Sequence, residues 1–358
     1  MEPTEFQEIA HTGGRLTFIY KEGGGLSVRL EHSRPSPATV FQVCIALDGQ
    51  IVDYVAIGGI GSPSFYPQPS ILAYLISDRE GKFGQECKVC DSYFRTSVPS
   101  RWTVCPYCGD RQRGITFLTQ NQLQFLTKYF NAYVEASQKG KTVTVDLDEM
   151  VDALTHNSQS WVYTEQRQQS GHACKCGCSY DILGNYGLCP ACGSPNYVAS
   201  FGRTVAGIEA QFDGERIDPR NVPGEMFARV FSEFEALGNC VRRQLSRLPA
   251  NETRRSEVRR INFQRLTEAA DLLERCFAIA LFKDIAPAEV EYLSLMLSRR
   301  HLIIHNGGRV DERYLQMTKD STVRLNEVVR VNLDDAKKTL SLMRKCGINI
   351  VNGWQSIK

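Results

Sequence analysis

Nine of the thirteen cysteines in this 358-residue chain lie in two short stretches, and this grouping constrains the fold more than any other feature. The first stretch, CKVCDSYFRTSVPSRWTVCPYCGD, places Cys87 and Cys90, and then Cys105 and Cys108, at C-x2-C spacing. Two hairpin turns of this kind bring four thiolates around one tetrahedral Zn²⁺. Because four protein ligands leave no coordination position open, we expect this ion to stabilise the fold and to take no part in catalysis.

The second stretch, HACKCGCSYDILGNYGLCPACGS, is less regular at its upstream end. Its downstream pair has C-x2-C spacing, but Cys174, Cys176 and Cys178 alternate with other residues. Cys176 precedes a glycine, as the second cysteine of such a turn should, so we favour Cys174 and Cys176 as ligands. Cys178 remains a substitute for either, and His172 is a more distant alternative. The predicted ligands of this second structural zinc are therefore Cys174, Cys176, Cys189 and Cys192.

The sequence pattern predicts an α+β multidomain chain. Residues 1–80 contain β-branched and aromatic runs such as RLTFIY and TVFQVCIALDG, broken by Gly-rich and Pro-rich turns, and predict a β-rich domain. Residues 81–221 form a zinc-ribbon region with two four-cysteine sites and intervening helices, one capped by Thr119 and another starting after Asp146. Residues 222–358 have apolar residues at helical spacing and predict a helical domain.

The distribution of apolar residues predicts a cytoplasmic protein. No apolar run approaches the roughly 18–20 residues that span a bilayer, so we expect no membrane association. The N-terminus, MEPTEFQEIAHTGGRL, lacks the apolar segment of a secretory signal. Without export, clustered cysteines fit reduced metal ligands better than disulfides.

Four helical segments with short connections predict an antiparallel bundle at the C-terminus. They cover residues 223–248, 259–285, 286–308 and 332–351. Pro287 suits an early helical position of the third segment, and Asn306-Gly307-Gly308 should end it.

The third segment carries an unusual polar stripe. At about 100° per residue, Ser294, Ser298, His301 and His305 share one side of the helix. Arg300 lies about 140° from His305, near the apolar side, and must extend to the surface or be buried at an interface. A favourable helix dipole would explain cations in a last turn, but it does not explain the stripe.

The segment Arg300-His301-x3-His305 matches the R-x4-6-H motif of HEPN-domain ribonucleases, in the form where a polar residue follows the arginine. The longer run RRHLIIHNGGRVDERYL resembles the same family, and NFQRL at 262–266 resembles an upstream HEPN helix. The resemblance covers roughly residues 222–358 and implies a HEPN-like four-helix bundle. It also implies a homodimer through this helical domain and cleavage of RNA without a catalytic metal.

The resemblance further implies roles for four residues. His305 would move a proton to or from the reacting oxygens, and Arg300 would stabilise the charge on the phosphorane. His301 and Asn306 would orient His305 or the phosphate. The products would carry a 2′,3′-cyclic phosphate and a 5′-OH, and the family suggests a role in antiviral defence, as in phage defence, or as a toxin.

Arginines are concentrated beside this motif. Residues 240–265 contain eight arginines and two glutamates, a charge balance that suits RNA phosphates but also describes an ordinary solvated helix face. The alternative function is a non-catalytic zinc-ribbon and HEPN adaptor that dimerises and binds nucleic acid or protein. A regulatory protein or nucleic acid as trigger also stays open. The predicted RNA-binding residues are Arg254, Arg255, Arg259, Arg260 and Arg299.

Overall fold

A computed structural model describes residues 14–21, 25–31, 40–55, 70–76, 81–97, 100–146, 149, 169–214, 217–249 and 251–357. The chain divides into two compact units, Met1–Gly184 with Leu188–Ser194, and Asn185–Gly187 with Pro195–Lys358. The described residues contain eight α-helices and four small sheets, which confirms the α+β class. The three-domain division stays a prediction, and the helix predicted after Asp146 lies outside the described ranges.

All strands of the described residues belong to the first unit, and every strand pair is antiparallel. In chain order the strands are β1 (Arg15–Tyr20), β2 (Leu26–Glu31), β3 (Val40–Ala46), β4 (Ile51–Val55), β5 (Ser70–Ile76), β6 (Phe83–Cys87), β7 (Ser92–Thr96), β8 (Trp102–Val104), β9 (Arg111–Arg113), β10 (Val143–Asp146), β11 (Gln169–Ala173) and β12 (Ser179–Leu183). The sheets have the strand orders β10-β1-β2, β4-β3-β5, β11-β12-β7-β6 and β8-β9.

Helix α1 (Gln120–Lys139) covers the core of the two three-stranded sheets. Thr119 begins the helix with a capping box, because its hydroxyl accepts from the backbone N–H of Gln122 while the Gln122 side chain accepts from the backbone N–H of Thr119. Tyr129 is buried edge-to-face against Phe18 at 5.2 Å between ring centroids, and its hydroxyl donates to the carbonyl of Leu72. The aromatic residues of this helix therefore belong to the core, with Phe125, Phe130 and Tyr133 packed against the same cluster as Tyr129.

The four-stranded sheet joins the two cysteine stretches. Strand β7 follows the first cysteine pair, and it pairs with β12, which follows the first cysteines of the second stretch. Asp181 is buried in this sheet between two cations, with Lys82 Nζ at 2.7 Å and Arg95 Nη2 at 2.6 Å from its carboxylate oxygens. This one continuous sheet within the first unit therefore connects the upstream cysteines of the two sites.

The second unit is helical. Its helices are α2 (Tyr197–Phe212), α3 (Gly224–Leu245), α4 (Glu252–Arg259), α5 (Leu266–Phe277), α6 (Pro287–Asn306), α7 (Glu312–Thr318) and α8 (Leu333–Ile357). Helix α8 packs against α2, α3 and α6. No helix in the described part of the chain combines the length and apolarity needed to cross a membrane.

Helix α2 approaches α8 closely through a glycine. A Cβ atom added at Gly347 would lie 2.2 Å from Cε1 of Phe201. About two helical turns further along α8, the ring of Trp354 is 5.3 Å from that of Tyr197. Helix α2 therefore forms part of the helical core, although its sequence falls within the range 81–221.

The second predicted helical segment is broken in the structure. Helices α4 and α5 are separated by a turn at residues 260–265, in which the side chain of Asn262 accepts from the backbone N–H of Gln264. The turn buries both Ile261 and Phe263. Residues two apart point about 200° away from each other in a helix, so a continuous helix would expose one of them. An antiparallel four-helix bundle of the HEPN type stays a prediction.

Candidate functional site

The first cysteine group is formed by two turns, one between β6 and β7 and one between β8 and β9. The sulfur atoms of Cys87 and Cys108 are 3.7 Å apart, and those of Cys90 and Cys105 are also 3.7 Å apart. All four sulfur atoms lie within 4.8 Å of one another. This first four-cysteine site could hold a metal ion, as the spacing predicted.

A glycine follows the downstream cysteine pair of each site. Gly109 has φ 75° and donates its N–H to the carbonyl of Cys105 at 2.9 Å, while Gly193 has φ 75° and donates to the carbonyl of Cys189 at 2.8 Å. This left-handed backbone favours glycine, because a Cβ atom would be strained there. The same local geometry therefore builds both sites.

The second four-cysteine site contains the four cysteines favoured by the sequence. The sulfur atoms of Cys174 and Cys192 are 3.6 Å apart, and those of Cys176 and Cys189 are also 3.6 Å apart. The fifth thiol of this stretch, Cys178, lies outside the group and contacts the hydroxyl of Thr96 at 3.3 Å.

His172 also lies outside the second four-cysteine site. Its ring packs on Tyr180, the residue opposite it across strands β11 and β12, at 5.4 Å between centroids. Neither of the two alternatives, Cys178 or His172, therefore takes the place of Cys174 or Cys176.

The two four-cysteine sites differ in exposure. In the first site Cys87, Cys105 and Cys108 are buried, whereas in the second site Cys176 and Cys192 are exposed. A solvent-facing thiolate is open to competing ligands and to protonation, which a buried one is not. We therefore expect an ion to leave the second site more easily.

The two histidines lie at the exposed C-terminal end of α6. The rings of His301 and His305 are 4.7 Å apart between centroids. Gly307 ends the helix in the left-handed conformation with φ 58°, as predicted. The side chain of Asn306 donates to the backbone carbonyl of Arg309 at 2.7 Å and so supports this turn.

Arg300 lies on the opposite side of the helix from His305. Its guanidinium sits over the ring of Phe231 at 5.8 Å, and Nη2 donates to the hydroxyl of Ser232 at 3.3 Å. Its Nε atom is buried and has no hydrogen-bond partner among the described residues. An unsatisfied buried donor of this kind costs about 1–3 kcal/mol, so a site that keeps one often has a functional reason.

The neighbouring Arg299 is bound by a buried carboxylate instead. It is buried, and its Nη2 donates to the carboxylate of Asp320 at 2.8 Å and to the hydroxyl of Thr322 at 2.6 Å. Tyr314 donates its hydroxyl to the same Asp320 oxygen at 2.6 Å. We therefore assign Arg299 a structural role in this network, in place of the RNA contact that its sequence position suggested.

The network changes the acidity of two groups. Burial favours the neutral form of Asp320, but hydrogen bonds from Thr322, Tyr314 and Arg299 outweigh it and hold its pKa well below the ordinary value. Burial, together with the bond to Asp320, raises the pKa of Tyr314 to about 12. Asp320 is thus a buried anion at neutral pH that joins α6 to the chain after α7.

A cavity of about 420 Å³ opens beside this end of α6. It brings together Arg300 and His301 from the predicted motif, whereas His305 and Asn306 lie outside its lining. The sequence analysis related NFQRL and the DERY part of RRHLIIHNGGRVDERYL to the HEPN family. It did not predict that side chains from these two segments line one cavity. The lining residues are Asn262, Gln264, Arg265, Leu297, Ser298, Arg300, His301, Leu302, Asp311, Arg313, Tyr314, Met317 and Thr318.

The predicted RNA-binding arginines of α4 are on the surface. Arg259 pairs with Glu252 at 2.8 Å, and Arg255 lies 3.8 Å from the same carboxylate. Arg254 is 3.9 Å from Glu257. Exposed pairs of this kind are worth only about 0–1 kcal/mol, so these guanidinium groups could exchange their partners for phosphates. Arg260, which ends the helix, is also exposed.

Comparison of the chain with models of known protein families, with curated proteins and with solved structures gives no match. A functional interpretation therefore depends on the two four-cysteine sites and on the chemistry at the end of α6. The former are two groups of four sulfur atoms that could each hold a metal ion, and the latter is a basic cavity at which His301 lies beside His305.

Proposed function

We propose that this protein is a metal-independent RNA endonuclease of the HEPN type, which acts as a homodimer in the cytoplasm. The observation that carries the proposal is the state of Arg300. Its guanidinium lines the cavity beside His301, has no carboxylate partner among the described residues, and leaves a buried donor unsatisfied. A phosphate or phosphorane would supply the missing acceptors.

The chemistry requires no metal at the scissile bond. The 2′-oxygen of one ribose attacks the adjacent phosphorus, the bond to the 5′-oxygen breaks, and one proton moves from the first oxygen to the second. Imidazole suits this transfer because its ordinary pKa is near 6.5, so both protonation states are populated at neutral pH. His305 takes this role, and Arg300 stabilises the charge that develops on the phosphorane.

His301 links the two groups. It lines the cavity with Arg300, and its ring is 4.7 Å from that of His305. We assign His301 the orientation of His305 or of the phosphate. Because His305 is exposed and lies outside the cavity of its own subunit, a second copy of α6 facing the first would complete the site in the dimer.

Zinc is the proposed ion of both four-cysteine sites. A tetrahedral ion with Zn–S bonds of about 2.3 Å requires sulfur atoms about 3.8 Å apart. The sulfur–sulfur distances of 3.6–3.7 Å agree with this value. The ions would be structural, because each has a full set of four thiolate ligands.

The test is incubation of the full-length protein with a labelled single-stranded RNA. Wild type should cleave it, and Arg300→Ala and His305→Ala should each lower the rate at least about 100-fold, the range of a lost acid–base or charge-stabilising group. Arg324→Ala, which changes an exposed arginine outside the cavity, is the matched control. Cleavage should continue after brief addition of EDTA to the folded protein.

The products and substrate provide a second check. The 5′ fragment should end in a 2′,3′-cyclic phosphate, and a 2′-deoxy substitution at the cleaved position should block the reaction. Cleavage that survives both Arg300→Ala and His305→Ala would reject the proposal. Firm RNA binding without cleavage of any RNA tested would favour the non-catalytic adaptor that dimerises and binds nucleic acid or protein.

A further inference from the structure

The cavity beside α6 has a strongly positive lining. Three arginines, Arg265, Arg300 and Arg313, contribute to its wall, against the single carboxylate of Asp311. That carboxylate already accepts from the backbone N–H of Tyr314 at 2.7 Å, where it caps α7. An anionic ligand therefore fits the charge of the cavity, and a cationic ligand does not.

The arginines of the wall are available to such a ligand. Arg313 is exposed and has no carboxylate partner within the described ranges. Among the described residues, the guanidinium of Arg265 pairs with Glu268 alone, at 3.3 Å, and both side chains are about two-thirds exposed. Because exposed pairs of this kind contribute little, a phosphate would displace Glu268 at small cost.

The cavity also has an apolar side. Met317 lines it and is 71% exposed, which is a large apolar area for a protein surface to leave open. Leu297, on α6, is also part of the lining. A methionine side chain is polarisable and contacts aromatic rings favourably, so a flat aromatic group would cover this surface.

Two amides supply hydrogen-bonding groups at the edge. The side-chain oxygen of Asn262 accepts from the backbone of Gln264, which leaves its NH₂ group as a donor. Gln264 donates its NH₂ group to Glu235 at 3.0 Å, which leaves its oxygen as an acceptor. One free donor and one free acceptor match the edge of a nucleobase, where such groups alternate.

We propose that this cavity binds one nucleotide of the RNA next to the cleaved phosphodiester. Its phosphate lies against Arg300 and Arg313, its base covers Met317, and the amides of Asn262 and Gln264 meet the edge of the base. The volume of about 420 Å³ suits a single nucleotide and is near the lower end of ligand pockets. The assignment rests on the proposed function and names the substrate contact that accompanies it.

The test measures binding without cleavage. Each of the four ribonucleoside 5′-monophosphates, inorganic phosphate and ribose 5-phosphate is titrated into the full-length protein in a calorimeter. At least one nucleotide should bind about tenfold more tightly than ribose 5-phosphate, because stacking of a base adds to the phosphate contact. Arg313→Gln should weaken nucleotide binding about tenfold, and Met317→Ser should remove most of the advantage over ribose 5-phosphate.

The matched controls are Arg324→Gln and Leu325→Ser, which change an exposed arginine and an exposed apolar side chain outside the cavity. Both should bind nucleotides within about twofold of wild type, and all four variants should unfold at the same temperature as wild type. Equal binding by Arg313→Gln, Met317→Ser and wild type would overturn the inference. So would equal affinity for every nucleotide and for inorganic phosphate.

The same titrations separate this inference from the proposed function. Nucleotide binding that depends on Arg313 and Met317, in a protein that cleaves no RNA, would refute the ribonuclease and leave a nucleotide-binding cavity. RNA cleavage that depends on Arg300 and His305, with nucleotide binding unaffected by the cavity variants, would support the ribonuclease and refute the subsite.

Discussion

Asparagine in place of Asp320 should destabilise the helical unit more than any surface change. Asp320 is 7% exposed, and its two oxygens accept five hydrogen bonds, at 2.6–3.2 Å, from Arg299, Tyr314 and Thr322. Asparagine keeps the shape, but it removes the negative charge and turns an NH₂ group towards groups that are themselves donors. The Arg299 guanidinium is then buried without a counter-charge.

The magnitude follows from the burial of the pair. The side chains of Arg299 and Asp320 are 11% and 1% exposed, so water cannot replace the lost carboxylate. Removal of one partner from a buried pair costs about 3–5 kcal/mol. For a unit of this size each kcal/mol shifts the melting temperature by about 2–4 °C, so the variant should melt roughly 6–20 °C lower.

Thermal and urea unfolding followed by circular dichroism would measure the effect. The control is Glu252→Gln, which breaks an exposed pair with Arg259 and should cost at most about 1 kcal/mol. Addition of Arg299→Met to Asp320→Asn removes the unpaired cation and should restore part of the stability. A loss from Asp320→Asn no larger than that from Glu252→Gln would refute the argument.

The effect of Asp320→Asn should also depend on pH. Because the folded state lowers the pKa of Asp320, the carboxylate stabilises the fold at every pH above its unfolded value of about 3.9. This stabilisation is lost as the pH falls through the lower folded pKa. The difference in unfolding free energy between wild type and Asp320→Asn should be constant above about pH 5 and shrink below about pH 4.

Three further predictions concern packing and metal. Gly347→Ala should lower the free energy of unfolding by about 1–3 kcal/mol, because its Cβ would lie 2.2 Å from the ring of Phe201. Gly202→Ala, whose Cβ would meet nothing within 4 Å, should leave the unfolding temperature unchanged or raise it. We propose two zinc ions per chain, and Cys105→Ser and Cys176→Ser should each lower this number to one by mass spectrometry, with the larger loss of stability at buried Cys105. A slowly acting chelator should remove the ion of the second four-cysteine site first, and identical release rates in the two cysteine variants would contradict this.

Local sequence signals predicted the parts of the fold that depend on neighbouring residues. The C-x2-C pairs, the cap at Thr119, the proline at the start of α6 and the glycine at its end each act within a few residues. The choice of Cys174 and Cys176 over Cys178 also followed from a local cue, the glycine after Cys176. These features need no knowledge of the tertiary fold.

Contacts between residues far apart in the chain could not be predicted from the sequence. Ser232 is 68 residues before Arg300, and Asp320 is 21 residues after Arg299, so no spacing rule joins them. The turn at residues 260–265 interrupts a run that has helical periodicity, because burial of Ile261 and Phe263 outweighs local preference. Tertiary packing decided each of these features.

The adjacent arginines of α6 show why the number of arginines in a segment overestimates its capacity to bind anions. Successive side chains of a helix point about 100° apart, so Arg299 and Arg300 cannot face the same environment. Arg299 turns inwards to a carboxylate that neutralises it, while Arg300 turns towards a serine and an aromatic ring that do not. An arginine is available to an anion when no buried carboxylate of its own protein neutralises its charge. By that criterion the anion binding that we propose for the cavity depends on Arg300 and Arg313, whereas Arg299 holds the helix that carries Arg300 in place.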